Sequence, residues 1–240
     1  MGQNSPSEEF LRENQLIGTY LSIDEFSKTH NLINHFEYTQ AAIQSLMKYS
    51  SLVQYEPPLI YLKRLDDPRI KFNPKNKIGD ILGFTSLIAN GHELDPNQKD
   101  NYITHCKERE QGFQEACNIF NEQANRINEQ IKAQNKDKDK HRRENSIPLN
   151  RNFISFLVSE ETQKEGLSDI FNWSQIELFE NVLKLFFNDM ELGAIKLHPN
   201  DWYDLFLLLY VQPGSKVWTN ENRWIRYVER SGMGKYLYNS

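Results

Sequence analysis

Four acidic residues of this 240-residue chain stand where predicted helices begin or predicted strands end. Asp201 and Asp204 are three positions apart at the start of a predicted helix, so they occupy one face of its first turn. Glu221 stands at a predicted strand-to-helix turn, the place where α/β sheets form their ligand crevice. Glu25 follows a predicted strand near the beginning of the chain. If the two strands are parallel neighbours, we expect all four carboxylates at one edge of a sheet.

A cluster of this composition favours one kind of chemistry. Carboxylates repel one another at short range unless a cation neutralises them, and oxygen ligands suit Mg²⁺ or Mn²⁺. Such an ion activates water and stabilises charge on a phosphate, which predicts metal-assisted hydrolysis of phosphodiesters. A second interpretation stays open, because Asp201 is also a suitable helix N-cap, and because Asp204 and Glu221 suit the positive end of a helix dipole.

The elements that must position these residues alternate between helix and strand in the first 60 residues. Residues 8–17 predict a short helix, and residues 19–23 are rich in strand formers. Residues 36–47 have helical spacing of apolar side chains, and residues 52–55 predict a second strand, which Pro57 and Pro58 end. This rhythm is typical of an α/β domain.

The C-terminal third shows the same alternation. Residues 176–190 predict an amphipathic helix. A second helix is predicted at residues 202–211, and because residues 205–209 are apolar on every side, we expect it to be buried through most of its length. Residues 216–219 favour a strand, and residues 222–230 predict a surface helix that closes near Gly232. Together these segments indicate a parallel unit of helix, strand and helix.

A long helix that begins after Pro96 separates these two parts. It carries a heptad-like apolar stripe that predicts packing against another helix, or docking of a partner protein. The stripe consists of Phe113, Cys117, Phe120, Ala124, Ile127 and Ile131. The charged run at residues 136–145 predicts a solvated end or loop. We therefore divide the chain into residues 1–95 and 146–240, two parts of one α/β domain, and a helical insertion with a charged loop at 96–145.

Three segments of the chain resemble the PIN-like nuclease family. The first is Leu-Ser-Ile-Asp-Glu at residues 21–25, and the second is Pro-Asn-Asp-Trp-Tyr-Asp-Leu at residues 199–205. The third is Trp-Thr-Asn-Glu at residues 218–221. The resemblance covers about residues 10–60 and 170–240. The hydrophobic strand and first Asp with which the family opens have no counterpart before Phe10, so that strand would have to come from outside these residues.

This resemblance implies a three-layer α/β domain with a central parallel sheet that holds Mg²⁺ or Mn²⁺ and cleaves RNA. By the resemblance, Glu25 matches the second acidic position and Asp201 the third, with Asp204 as its helper. Glu221 matches the position after the family's Thr-x pair, although Asp is commoner there. Thr219 matches the hydroxyl that steadies the site. The metal ligands implied are Glu25, Asp201 and Glu221.

Basic residues near the third segment could hold the RNA backbone. Residues 215–240 contain five Lys or Arg and two Glu, a net charge of +3 against −5 for the whole chain. Arg223 and Arg226 lie beside the Glu221 turn and are the side chains that we expect to clamp phosphate. Trp218 and Trp224 could stack on bases, although the spacing of Trp224 is also typical of a core residue.

Composition excludes several other classes of protein. Only two cysteines are present, Cys106 and Cys117, and their spacing favours neither a disulfide framework nor a structural zinc site. Mean hydropathy is −0.70, and no apolar run approaches the length of a membrane span, so we expect a cytoplasmic protein. The lead hypothesis is a Mg²⁺- or Mn²⁺-dependent ribonuclease. The alternative is a noncatalytic interaction or scaffold protein with a degenerate PIN-like fold.

Overall fold

The computed structural model describes residues 13–70, 79–92, 95–134 and 147–238. The structure is mostly helical, at 70% of residues. Its internal contacts divide the chain into two compact units. Unit 1 comprises residues Met1–Pro57 and Lys71–Gln111, and unit 2 comprises Pro58–Ile70 and Gly112–Ser240. Residues 8–12 of the helix expected at 8–17, and all of the charged run at 136–145, lie outside the described residues. In the described half of that segment only Glu13 is helical and Ile17 begins a strand, so the predicted helix is wrong there.

Unit 1 contains a parallel pair of short strands, β1 (Ile17–Thr19) and β2 (Leu52–Gln54). Ile17 lies opposite Leu52 in the register, and Gly18 lies opposite Val53. A Cβ atom on Gly18 would approach the Ser50 hydroxyl to 2.8 Å, so a larger residue here would require the Ser50 side chain to move. The second strand is therefore confirmed at residues 52–54.

Helices fill the rest of unit 1. Between the strands lie α1 (Tyr20–Phe26), α2 (Thr29–Asn34) and α3 (Phe36–Tyr49). After β2, unit 1 continues with α5 (Gly79–Ala89) and with the first part of α6 (Pro96–Ala133). Helix α4 (Pro58–Asp66) belongs to unit 2. The helices predicted from residue 36 and from Pro96 are both confirmed.

The strand expected at residues 19–23 is wrong in its position. The strand ends at Thr19, whose side chain caps α1 by accepting a hydrogen bond of 3.2 Å from the backbone amide of Ser22. Helix α1 then buries Tyr20, Leu21 and Ile23 on one side. Tertiary burial of that apolar face overrides the strand preference of the individual residues.

The described part of unit 2 contains six helices, one of them shared with unit 1, and three short 3₁₀ turns. After α4 and the second part of α6 come α7 (Ile147–Thr162), α8 (Glu177–Glu191), α9 (Pro199–Leu207) and α10 (Asn222–Arg230). The 3₁₀ turns are Trp173–Ile176, Leu208–Tyr210 and Gly234–Tyr236. Helix α10 has the bounds that the sequence predicts, and Gly232 follows it with a φ of 78°.

The apolar stripe of α6 packs inside unit 2. The ring of Phe120 lies 5.2 Å from that of Trp202 in α9, 5.5 Å from Phe153 in α7 and 5.8 Å from Phe187 in α8. The stripe residue Cys117 is completely buried in the same core. The prediction that this stripe packs on other helices is confirmed, and these contacts occupy the apolar face that a partner helix would use.

The C-terminal alternation of helix and strand is only partly present. Residues 202–211 are largely buried as predicted, although α9 ends at Leu207 and a 3₁₀ turn continues to Tyr210. The strand expected at residues 216–219 is reduced to a single parallel bridge between Val217 and Leu237. Among the described residues the sheet has only β1 and β2, so Val217 is not a neighbour of β1 within it.

The fold is therefore helical with a small parallel sheet, which is compatible with the α/β class in its coarse form. The three-layer PIN-like arrangement around a central sheet stays a prediction. In the described part of the chain, we find no helix with the length and apolar character needed to cross a bilayer.

Candidate functional site

Asp201 lies in the first turn of α9, with its side chain turned into the protein. Only 2% of the residue is exposed. One carboxylate oxygen, Oδ2, accepts a hydrogen bond of 2.8 Å from the backbone amide of His198, the N-cap of the helix. The backbone amide of Asp201 donates in turn to the carbonyl of His198 at 2.9 Å. These bonds satisfy backbone groups that the beginning of a helix otherwise leaves unpaired.

The same carboxylate binds the guanidinium group of Arg223, a residue of α10. Nη1 of Arg223 lies 2.5 Å from Oδ1 of Asp201, and Nη2 lies 3.3 Å from Oδ2. The guanidinium carbon also lies 5.5 Å from the ring centres of both Phe186 and Trp224. Arg223 is thus held by a two-pronged ion pair and by two aromatic rings, the geometry for which arginine is best suited.

These contacts decide whether a metal fits at Asp201. Both of its oxygens already have donors, and a full positive charge lies 2.5 Å from Oδ1. A divalent cation would be repelled by that charge and would have to displace Arg223. Asp201 in the observed arrangement therefore does not fit a metal ligand, and its described contacts are those of a helix cap and ion-pair partner.

Glu221 and Thr219 form the turn that leads into α10. The backbone amide of Glu221 donates a hydrogen bond of 3.1 Å to Oγ1 of Thr219. Glu221 is the N-cap residue of α10, its side chain is exposed, and it makes no side-chain capping bond. Since Arg223 lies two residues further on, its bond to Asp201 brings the first turns of α9 and α10 together.

The remaining two acidic candidates differ in their surroundings. Asp204 is half-buried in α9. Glu25 lies in unit 1, where its side chain is 46% exposed and its Oε1 lies 3.7 Å from Nζ of Lys28. Within the described residues, no three His, Cys, Asp or Glu side chains form a group that could hold a metal ion. The metal site stays a prediction.

The neighbouring acidic residue, Asp24, is buried in unit 1 and was not among the predicted site residues. Asp24 is 1% exposed and forms an ion pair with Arg109 of α6. Tyr102 and Cys106 lie on the same side of α6 and are buried. Burial raises the pKa of the Cys106 thiol to about 11, an effect that Asp24 reinforces and Arg109 opposes. This thiol is therefore protonated at neutral pH and unsuited to act as a nucleophile.

Treating residues 20–26 as a helix would have predicted that Asp24 is buried. In a helix, residues three and four apart share a face, so Asp24 lies with the buried Tyr20 and Leu21. Glu25 falls on the outer face of the same helix. Because the sequence predicted a strand at residues 19–23, it did not predict this difference between Asp24 and Glu25.

The basic residues of the C-terminal segment are largely engaged by acidic residues of unit 2. Arg230 binds Asp189 with Nη1 2.9 Å from Oδ2, and the Tyr227 hydroxyl donates to the same oxygen at 3.1 Å. Lys235 forms an ion pair with Glu177, whose Oε1 also accepts a bond of 2.7 Å from the Tyr236 hydroxyl.

These pairs determine what the predicted phosphate clamp could do. Arg223 is paired with Asp201, so a phosphate would have to compete with that carboxylate or use the remaining donors of the guanidinium group. Arg226 is exposed and forms no ion pair with a residue that the structure describes. The positive charge of residues 215–240 therefore serves mainly to attach this segment to helices α8 and α9.

Hydrogen bonding and burial shift the pKa values of these groups. The bonds from Lys235 and then Tyr236 lower the pKa of Glu177. Burial, followed by the hydrogen bond to Glu177, raises the pKa of Tyr236 to about 12. Burial, followed by the charge of Asp189, raises the pKa of Tyr227 to about 12. At neutral pH, both phenols are therefore protonated and act as hydrogen-bond donors.

Comparisons with known proteins give no match: no family model, no curated protein and no solved structure matches this chain. The resemblance to PIN-like nucleases therefore depends on the three short segments alone.

Proposed function

We propose that this protein is a noncatalytic interaction module in which the acidic motif residues have structural roles. The observation that carries the proposal is the engagement of Asp201. Its two oxygens bind Arg223 and the N-cap amide of α9, at distances of 2.5 and 2.8 Å. In a metal-dependent nuclease the corresponding carboxylate must offer an oxygen to the ion.

Exposed apolar side chains in unit 2 support an interaction role. The unit has a closely packed aromatic and aliphatic core, yet several large apolar side chains lie at its surface. They are Leu149 at 58% exposure, Phe156 at 56% and Ile170 at 93%. Single exposed apolar residues are ordinary, but large ones next to a rigid scaffold are the kind of residue that anchors a protein partner.

A second candidate function, the metal-dependent ribonuclease, is favoured by one observation. The bond between Arg223 and Asp201 links the second of the three segments to α10, which directly follows the third segment, and Thr219 binds the amide of Glu221 within that third segment. If Arg223 moved away, the carboxylate of Asp201 would be open to another cation near the beginning of α10.

RNA cleavage separates the two candidates. A fluorescent single-stranded RNA is incubated with the wild-type chain, with Asp201→Asn and with the surface control Glu122→Gln, each with Mn²⁺ or with EDTA. We expect no EDTA-sensitive cleavage by any of them. Melting temperatures are recorded in the same buffers, and we expect Mn²⁺ to leave all three unchanged, because only a ligand that binds the native state raises the melting temperature.

EDTA-sensitive cleavage by the wild type and Glu122→Gln, lost in Asp201→Asn, would replace the interaction proposal with the ribonuclease. Glu122 is a suitable control because its ion pair with Arg126 is exposed and lies on the outer side of α6.

A further inference from the structure

The loop at residues 163–172, between α7 and the next 3₁₀ turn, is held in place at several points. Nζ of Lys63 donates a hydrogen bond of 2.5 Å to the carbonyl of Gly166. The backbone amide of Leu167 donates to Oγ of Ser155 at 2.8 Å. Asp66 accepts bonds from both the amide and the hydroxyl of Ser168. Helices α4 and α7 therefore fix the conformation of this loop.

Two further features indicate that the loop is tightly fitted. A Cβ atom on Gly166 would lie 2.7 Å from the carbonyl oxygen of Ser155, so only glycine allows this approach. Burial by itself would raise the pKa of Asp66, but its hydrogen bonds to Ser168 and Lys63 outweigh burial and lower it. Asp66 is thus ionised at neutral pH and holds Lys63 and the loop together.

The fixed loop displays one large apolar side chain. Ile170 is 93% exposed, whereas the next residue, Phe171, is 6% exposed and packs against Trp173 with 5.1 Å between ring centres. The amide of Phe171 also donates to the carbonyl of Ser168 at 3.0 Å. Because both sides of Ile170 are fixed, its side chain is held in solvent without a compensating contact in unit 2. A partner could bury it with little loss of backbone entropy.

Acidic residues are frequent in the ten positions before this isoleucine. Residues 160–170 contain Glu160, Glu161, Glu165 and Asp169 against Lys164 alone, a net charge of −3. Glu160, Glu165 and Asp169 are exposed. Exposed acidic side chains repel a nucleic-acid backbone and attract basic side chains.

We propose that Ile170 is the apolar anchor of a docking surface for a basic, amphipathic helical segment of a partner protein. The acidic rim formed by Glu160, Glu165 and Asp169 binds the basic side chains of that segment, and Ile170 packs against its apolar face. This inference rests on the proposed function, since it gives the interaction module a surface and a class of partner.

Binding of a model peptide tests the surface. The probe is a helical peptide of leucine and lysine, and the control probe is the same peptide with glutamate in place of lysine. Affinity is measured by fluorescence anisotropy for the full chain, for Ile170→Ser and for Ile119→Ser. Ile119 is a matched control because it is also an exposed isoleucine near acidic residues, on α6.

We expect the wild type and Ile119→Ser to bind the leucine–lysine peptide equally, and Ile170→Ser to bind it about tenfold more weakly, a loss typical of an interface anchor. The paired change Glu165→Gln and Asp169→Asn should weaken binding and reduce its salt dependence. Equal binding by the two serine variants, or equal binding of both peptides, would overturn the proposal. Melting curves of each variant confirm that a loss of affinity does not reflect unfolding.

The two proposals fail in different ways. EDTA-sensitive RNA cleavage that depends on Asp201 contradicts the noncatalytic function, whatever the peptide binds. Unchanged peptide binding by Ile170→Ser contradicts the docking surface, whatever the cleavage assay shows.

Discussion

Arg223 and Asp201 join the first turns of two helices through one guanidinium–carboxylate pair. The carboxylate is 3% exposed, and the guanidinium side chain, at 41%, covers it from the solvent side. A buried carboxylate without its partner is strongly unfavourable, because burial removes its hydration. This relationship gives Asp201 a structural reason to be acidic that does not require a metal ion.

A second long-range contact positions the chain just before α9. Nδ2 of Asn121 donates to the carbonyl of Leu197, and Oδ1 of Asn121 accepts from the amide of Leu197, both at 2.8 Å. We expect Asn121→Ala to lower the free energy of unfolding by about 1–3 kcal/mol, because Leu197 is buried and its amide and carbonyl lose their partners. Urea denaturation measures this change.

Asn121→Asp should be at least as destabilising as the alanine variant, since a carboxylate cannot donate to the Leu197 carbonyl. The control is Asn118→Ala, on the exposed side of α6, for which we expect a change within about 0.5 kcal/mol. Equal stability of Asn121→Ala and Asn118→Ala would contradict this role.

Replacing Gly166 or Gly112 with alanine should change the stability of the protein in opposite directions. Gly166→Ala places a Cβ atom against the Ser155 backbone, and we expect a loss of stability of about 1–3 kcal/mol. Gly112→Ala lies inside α6 with no heavy atom within 4 Å of the added Cβ, and we expect a gain of about 0.5–1 kcal/mol. Thermal melts of both variants check the signs, and a stabilising Gly166→Ala would contradict the packing of the loop.

Acid should weaken the contacts made by Asp66 and Glu177. The folded protein lowers both pKa values, so the unfolded chain binds protons more readily as the pH falls. Their contribution to stability is therefore present above the unfolded carboxyl pKa of about 4, and is lost as the pH drops below it through the folded values.

Unfolding free energies measured between pH 7 and pH 3 test this expectation. Asp66→Asn should flatten the acid limb of the curve, because one of the two linked protonations is removed. An unchanged pH dependence in that variant would be inconsistent with the lowered pKa of Asp66.

Alkali should loosen the C-terminal segment. The pKa values of Tyr227 and Tyr236 rise to about 12 in the folded protein, against about 10 in an unfolded chain. The folded state therefore retains these protons longer, and stability falls as the pH rises from about 10 to about 12. We expect Tyr227→Phe with Tyr236→Phe to be less stable at neutral pH, but to lose less stability between pH 9 and pH 11.5. A slope equal to that of the wild type would argue against these raised pKa values.

The elements that sequence predicted well are those with a strong local pattern. Helix α10 and the helix that begins at Pro96 were predicted because apolar side chains recur at helical spacing between clear start and stop residues. The prediction of a strand at residues 19–23 was wrong because strand preference is a local property, whereas the burial that makes this segment helical comes from other elements. The prediction of a strand at residues 216–219 was also only partly right, because the single bridge partner of Val217 is Leu237, 20 residues further on, and local sequence does not identify it.

The candidate site shows a sharper limit. The sequence located the beginnings of α9 and α10 approximately, but the N-cap of α9 is His198 and not Asp201, which lies in the first turn. The partner of Asp201 was not identified, because Arg223 is 22 residues away and nothing in its neighbours distinguishes it from Arg226. Which arginine is engaged and which is exposed depends on the packing of α10 against α8. Local spacing therefore gave the residue types at the site, but not their partners.

A double-mutant cycle between Asp201 and Arg223 tests the central claim most directly. Unfolding free energies are measured for Asp201→Ala, Arg223→Met and the double variant, with Arg226→Met as the control partner on the same helix. We predict a coupling energy of about 1–2 kcal/mol for Asp201 with Arg223, and values near zero for Asp201 with Arg226. Coupling near zero for Asp201 with Arg223 would contradict the structural role of the carboxylate.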